Sequence, residues 1–222
     1  MTANNGVGTL VMLDSHPISV DLSSHLNNAG IASSGHRTTD GLDGLGTTFC
    51  AESLSASGTT ITCQGTPFIF PDKGDGLDDN IACEAQEIAL PVGAYRALHI
   101  LGMCDWRAFE EPLRLKAPNG TYMETPLGLS DASHYQGLQY GEHEALTCPL
   151  VTPDSLIPHV VLFGIDLPDA GYEMTETRME AGIWHQVIPI EPPRPLAGLV
   201  LPDNPSMHLF SLTLIAAGEA SL

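Results

Sequence analysis

The sequence predicts an all-β protein built as an antiparallel β-sandwich, on three observations. The first is the stretch from Leu199 to Leu214, two apolar runs joined by Pro202, Asp203, Asn204 and Pro205. Those four residues continue neither a strand nor a helix, whereas the runs beside them are leucine-rich with β-branched and aromatic residues, so the pattern is strand, sharp turn, strand. The second is punctuation. With 22 glycines and 17 prolines in 222 residues, the chain is interrupted too often for helices of ordinary length, and helical periodicity is weak throughout. The third is the recurrence of short strand signals between turns, the pattern of two packed antiparallel sheets.

Along the chain the strand signals fall at 8–13 and 18–22, at 59–64 and 66–70, and at 87–90 and 95–101. They continue at 113–117, 122–125, 159–166, 183–190, 196–201 and 207–215. Leu113, Leu115 and Ala117 alternate with Arg114 and Lys116, as a half-buried strand requires. In the last strand His208, Phe210, Leu212 and Leu214 share a face, which makes His208 a core-edge histidine. Residues 53–56 suggest a short helical turn. Residues 130–147 are polar and poor in strand pattern, and a loop that long in a compact domain is more often functional than merely connective. A second irregular segment covers 170–182. No internal repeat, low-complexity tract or linker divides the chain, and 222 residues suit one sandwich domain spanning 1–222.

Charge removes two partner classes. With 8 Lys+Arg against 27 Asp+Glu the net charge is -19, which repels nucleic-acid phosphates and anionic membrane surfaces alike. The N-terminus has no basic region followed by an apolar one, and no apolar run reaches the ~18 residues of a membrane span, so a cytoplasmic protein is expected. Cys50, Cys63, Cys83, Cys104 and Cys148 are odd in number and widely spaced, which fits buried free thiols better than a disulfide frame or a zinc knot.

Several segments carry a family likeness: Val20 to Ile31, Asp43-Gly-Leu-Gly46, Ala51 to Leu54, Phe68-Ile-Phe-Pro71, Asp79-Asn-Ile81, Gln86 to Tyr95 and Leu201-Pro-Asp-Asn-Pro205. Together they resemble galactose-binding-like jelly rolls, which occur as accessory domains of glycoside-processing enzymes and as free-standing proteins of about this length. The matched residues are chiefly turn and strand-end positions, so the likeness bears on fold more than on chemistry. It implies ligand contacts from loops at one end of the sandwich and, in some members, a structural calcium. The chain departs from the sugar-binding pattern in one respect. Aromatic residues make up only 6% of it, with two tryptophans, whereas sugar rings stack on exposed aromatic faces.

Histidine is the most suggestive residue type, nine in all, because imidazole takes and gives protons near neutrality. His134, His143 and His185, with Glu142, are the candidate catalytic set; each is otherwise a solvated or core residue. His134 and His143 have the right chemistry for a metal but not a recognised ligand spacing. Candidate ligand-binding residues are His36, Arg37, Trp106, Arg107, Tyr135 and Trp184. The arginines stand out because cations are scarce, and an arginine facing a pocket binds carboxylates in a bidentate fashion. Trp184 is either a pocket wall or core. Asp72, Asp75 and Asp78 offer the oxygen ligands a structural calcium takes, or form a solvated turn. No Ser-His-Asp signature, phosphate loop or dinucleotide fingerprint appears.

Three functional classes follow. The first is a cofactor-independent cyclase, isomerase or lyase acting on a small molecule, a natural product or sugar derivative by analogy, through His/carboxylate acid-base chemistry in the sandwich. The second is a non-catalytic carbohydrate or polyol-binding module. The third is an interaction domain with no small-molecule site. The first is preferred; it requires no cofactor and leaves room for a structural calcium and for a homo-oligomer.

Overall fold

A computed structural model describes residues 16–36, 40–133, 137–152 and 177–218. The described residues are mostly strand, with one 3₁₀ turn, Ala51–Ser53, and no α-helix. The strands are β1 (Pro17–Ser19), β2 (Ile31–Ala32), β3 (Thr48–Cys50), β4 (Thr60–Cys63), β5 (Thr66–Ile69) and β6 (Ile81–Glu84). They continue with β7 (Glu87–Cys104), β8 (Phe109–Lys116), β9 (Tyr122–Leu129), β10 (His143–Thr152), β11 (Thr177–Val200) and β12 (Asp203–Ala216). A ten-stranded sheet runs β1-β12-β7-β11-β10-β3-β2, with β6 on β12 and the β8-β9 hairpin on β11; β4 and β5 form a separate hairpin. All pairings are antiparallel except β2 with β3.

The long strands β7, β11 and β12 hold the antiparallel β-sandwich together, because each changes partners along its length. β11 pairs β10 at its start, then β7, and also β8 at its end. Alternation along β7 feeds two apolar clusters. Leu98, Ile100 and Cys104 join Leu113, Leu127, Leu212 and Leu214, whereas Leu101 and Met103 join Phe49, Phe68, Trp184 and Phe210. Both faces of the strand are thus buried, and each large apolar side chain taken fully from water stabilises the fold by roughly 1.5–3 kcal/mol. A register shift between Leu209 and Ser211 turns Phe210 away from the cluster that holds Leu209 and Leu212.

The expected all-β sandwich is what the chain forms, with differences of detail. The signals at 87–90 and 95–101 are one strand, β7, and those at 183–190 and 196–201 are one strand, β11. Proline does not break β11, because the register jumps from Pro189 opposite Ala97 to Arg194 opposite Tyr95. Residues 190–193, with a cis Glu191–Pro192 bond, bulge out where no ladder N–H is required. The expected loop at 130–147 is cut short by β10, whose period-two pattern is hidden by a bulge between Glu144 and Leu146. Likewise 177–182, read as irregular, opens β11. The helical turn lies two to three residues before the expected 53–56. The signals at 8–13 and 159–166 lie outside the described residues. All five cysteines are free and buried, and among the described residues no helix is long and apolar enough to cross a membrane.

Candidate functional site

The end of β7 borders a concavity. Met103 and Cys104 are buried, and the chain then turns sharply: the Asp105 amide donates to the Ser206 carbonyl at 3.0 Å, and the Arg107 amide to the Asp105 carbonyl at 2.7 Å. Trp106 at the tip has φ 66°, left-handed backbone that a bulky residue rarely adopts unless its surroundings impose it. The consequence is an indole held outward, 69% exposed. Beside this turn, Cys104 N–H donates to the Ser130 carbonyl and Ala132 N–H to the Cys104 carbonyl, at 2.9 and 2.8 Å, which brings Asp131 alongside. From the third side comes the 40–47 loop, stiffened by the Asp43 carboxylate, which accepts from Leu45 N–H, Thr47 N–H and Thr47 Oγ1 at 2.9, 3.1 and 2.6 Å.

These pieces enclose a cavity of about 410 Å³. Buried Leu42, Met103 and Leu150 line it, together with the more exposed Leu45, Trp106 and Met179. Its charged lining among the described residues is entirely acidic: Asp43, Asp105 and Asp131. Asp105 differs from the other two. Burial, helped by the Asp43 and Asp131 charges, pushes its carboxyl up to about 6 against an opposing hydrogen bond with Ser206. Its Oδ1 is buried with no hydrogen-bond partner, whereas Asp131 Oδ1 accepts from the Ser133 amide and hydroxyl. A carboxyl that titrates near neutrality at the wall of an apolar cavity is suited to proton transfer.

The residues singled out from sequence are dispersed. Trp106 lines the cavity. Arg107 is exposed next to it, its guanidinium 4.7 Å from the Phe109 ring centroid. Trp184 is core, 1% exposed, and its Nε1 donates to the Ser130 and Asp131 carbonyls at 3.1 and 3.0 Å, so it supports the cavity wall from behind. Glu142 is buried and occupied, accepting from Ser130 N–H, Ser130 Oγ and Tyr140 N–H. His185 is buried on β11 with Nε2 2.8 Å from His99 Nδ1. Exposed His143 faces it across the β10-β11 ladder, the ring centroids 6.1 Å apart. This imidazole group lies under the β4-β5 hairpin, with Phe68 edge-on to His185 and Thr66 Oγ1 3.1 Å from His99 Nδ1. It does not line the cavity.

His36 is exposed, 3.5 Å from the Asp75 carboxylate, which also accepts from Ser33 N–H. Asp72 and Asp78 are exposed. Asp72, Asp75 and Asp78 lie on one exposed segment, and among the described residues no three His, Cys, Asp or Glu side chains are placed together to hold a metal ion. Arg37, His134 and Tyr135 lie outside the described residues. Sequence reasoning missed Asp43, Asp105 and Asp131. The available signal was Cys104-Asp105-Trp106, a carboxylate and an indole in a turn straight after a long apolar strand.

Fold and site together define a β-sandwich domain with an acid-lined cavity at one end. Residues 15–149 match the family model of the AziU2-like beta-sandwich domain, and the chain belongs to that family. The matched span includes Asp43, Asp105, Trp106 and Asp131. No curated protein matches the chain.

Proposed function

We propose that the protein is a small-molecule enzyme of the cyclase, isomerase or lyase type, moving protons without a cofactor, with Asp105 as the proton-transfer group and Trp106 as the wall against which the substrate lies. The observation that carries this reading is Asp105 itself, with one buried oxygen lacking a partner and a carboxyl raised to about 6 in an apolar cavity. The sequence pointed to Glu142 as the carboxylate of a His/carboxylate scheme; here Asp105 takes the carboxylate's part. Ionised, it removes a proton from an acidic C–H, N–H or O–H of the substrate; protonated, it returns one to the leaving or rearranged atom. Apolar lining strengthens such a transfer by keeping water away.

Proton exchange tests this without the full reaction having to be defined. Natural-product and sugar-derivative fragments that bind are incubated with the protein in D₂O, and deuterium uptake is followed by proton NMR. Uptake is expected to inflect near pH 6 and to fall by roughly 100-fold or more in Asp105→Asn, the size of a general-acid/base contribution. Bound ligands that exchange no proton between pH 5 and 8 would refute the reading. The outward indole of Trp106 beside three carboxylates also suits a carbohydrate or polyol, whose ring stacks while its hydroxyls donate. Sugar binding by calorimetry with no deuterium uptake would favour that binding module instead.

A further inference from the structure

A second cavity, about 330 Å³, opens on the other side of Asp105 and Trp106 and shares Leu42 and Asp43 with the first. Two strands contribute polar residues to its lining. The β7-β12 ladder pairs Cys104 with Met207 and Met103 with His208, so Asp105 stands across from Ser206. His208, two residues further along, shares the Ser206 face. Both Asp105 and His208 line this cavity.

The state of His208 follows from its neighbours. It is 1% exposed, and its Nδ1 lies 2.8 Å from Asn80 Oδ1. The Asn80 amide is oriented by its other end, where Nδ2 donates to the Asn28 carbonyl, Asn28 Oδ1 and Asp79 Oδ1 at 3.1, 2.9 and 2.8 Å. Asp79 in turn accepts from Gly30 N–H and Ile31 N–H. Asn80 Oδ1 is therefore an acceptor, which assigns the ring hydrogen to His208 Nδ1 and leaves Nε2 a bare lone pair. Burial keeps the ring neutral, holding its pKa down at about 4 although the Leu42 carbonyl and Asp43 pull the other way. His208 Nε2 and Asp105 Oδ1 are both buried without a hydrogen-bond partner. Buried acceptors left open in this way are rare. The same cavity is lined by Asp40, Asp43 and Glu84, and among the described residues by no lysine or arginine.

We infer that His208 Nε2 and Asp105 Oδ1 form a two-acceptor seat for a hydrogen-bond-donating head group of the ligand, whose remainder lies in the larger cavity beside Trp106. The inference rests on the reading of that cavity as a small-molecule site and specifies how the ligand's polar end is recognised: by N–H or O–H donors rather than by charge alone. Three side-chain metal donors do not converge here or elsewhere among the described residues, so the seat is matched to an organic donor.

The full chain, labelled with ¹⁵N, is titrated at pH 7.5 with n-butylammonium, 1,2-butanediol and tetramethylammonium, reading the His208 imidazole nitrogen and the Trp106 indole. The first two separate a cationic donor from a neutral one; the third carries the charge without a donor. Saturable movement of His208 Nε2 with butylammonium or butanediol, absent with tetramethylammonium, is expected, with affinity at least tenfold weaker in Asp105→Asn. Should that variant fail to fold, the wild-type comparison decides alone. Equal binding of tetramethylammonium, or no binding of any probe, overturns the seat. So does an unmoved His208 while Trp106 responds, although that outcome leaves the larger cavity standing as a small-molecule site. Loss of the cavity reading shows separately, as absent deuterium uptake.

Discussion

Glu142 shows how one residue type serves two ends in this chain. Its carboxylate accepts three hydrogen bonds, from Ser130 N–H at 2.6 Å, Ser130 Oγ at 2.9 Å and Tyr140 N–H at 2.9 Å, and so ties both sides of the 130–142 segment together. Ser130 and Asp131 are held from behind by the Trp184 indole, so this bracket fixes where Asp131 enters the cavity. Glu142→Ala orphans the buried Ser130 N–H and the half-buried Tyr140 N–H and is expected to cost on the order of 2 kcal/mol in urea unfolding, with Glu142→Gln recovering part of it. Unchanged stability in the alanine variant would show that the bracket is idle. Asp105 is the contrasting case. One acid among 27 carries no signal in a sequence, because what distinguishes it is burial and an unpartnered oxygen, both products of folding. Trp106 was legible as a candidate because tryptophan is rare here; the acid beside it was not.

Among elements, the β4-β5 hairpin is where a histidine cluster reports on packing. Phe68 lies edge-on to His185 at 5.1 Å between centroids, Thr66 Oγ1 meets His99, and Thr213 Oγ1 donates to the Pro67 carbonyl at 2.7 Å. Burial holds His185 down at about 4, with the neighbouring His99 and His143 adding to the effect. A histidine with a depressed folded pKa leaves the unfolded chain to bind the proton first, so it costs stability as pH falls from about 6.5 towards 4, by up to about 1.4 kcal/mol per pH unit. His185→Phe keeps a ring under the hairpin and removes that cost. Its stability relative to wild type should therefore rise as pH drops from 6.5 to 4.5, in urea titrations at each pH; a constant difference would mean that His185 is not the titrating group. Strands of this kind were the most legible part of the fold: 60–63 and 66–69 fall within the expected 59–64 and 66–70, whereas the signals at 113–117 and 122–125 cover only part of 109–116 and 122–129. β10 was not, because its ladder begins with His143 and Glu144 and contains a bulge, both of which erase the period of two. β2 and β3, two and three residues long, are strands only by virtue of their neighbours.

At the scale of the whole molecule, buried groups of opposite sense are set against one another. His185 and His208, both held down at about 4, weaken the fold as pH falls. Asp79 acts the other way: fully buried, it is pushed up to about 7 by burial and by the charge of Asp78, against hydrogen bonds from Asn80, Ile31 and Gly30. Its folded form keeps a proton that the unfolded chain releases near 3.8, so its contribution is complete below that value and is lost as pH rises through about 7. Asp105, raised to about 6, adds to the same side. Between roughly pH 4 and 6 the two groups of residues offset each other, and stability is expected to change little there despite a net charge of -19. Asp79 is also the long-range tie, joining the 28–31 segment to β6 and, through Asn80, to His208 on β12. Asp79→Asn is destabilising overall, because one of two accepting oxygens is lost, but the deficit has a defined pH course. It should shrink as pH rises from 4.5 to 7 and stay level from 7.5 to 9, since the variant lacks the group whose ionisation burdens the wild type. Urea midpoints across that range measure it, and a deficit that stays constant from 4.5 to 7 would mean that Asp79 is ionised and held by its amide partners throughout.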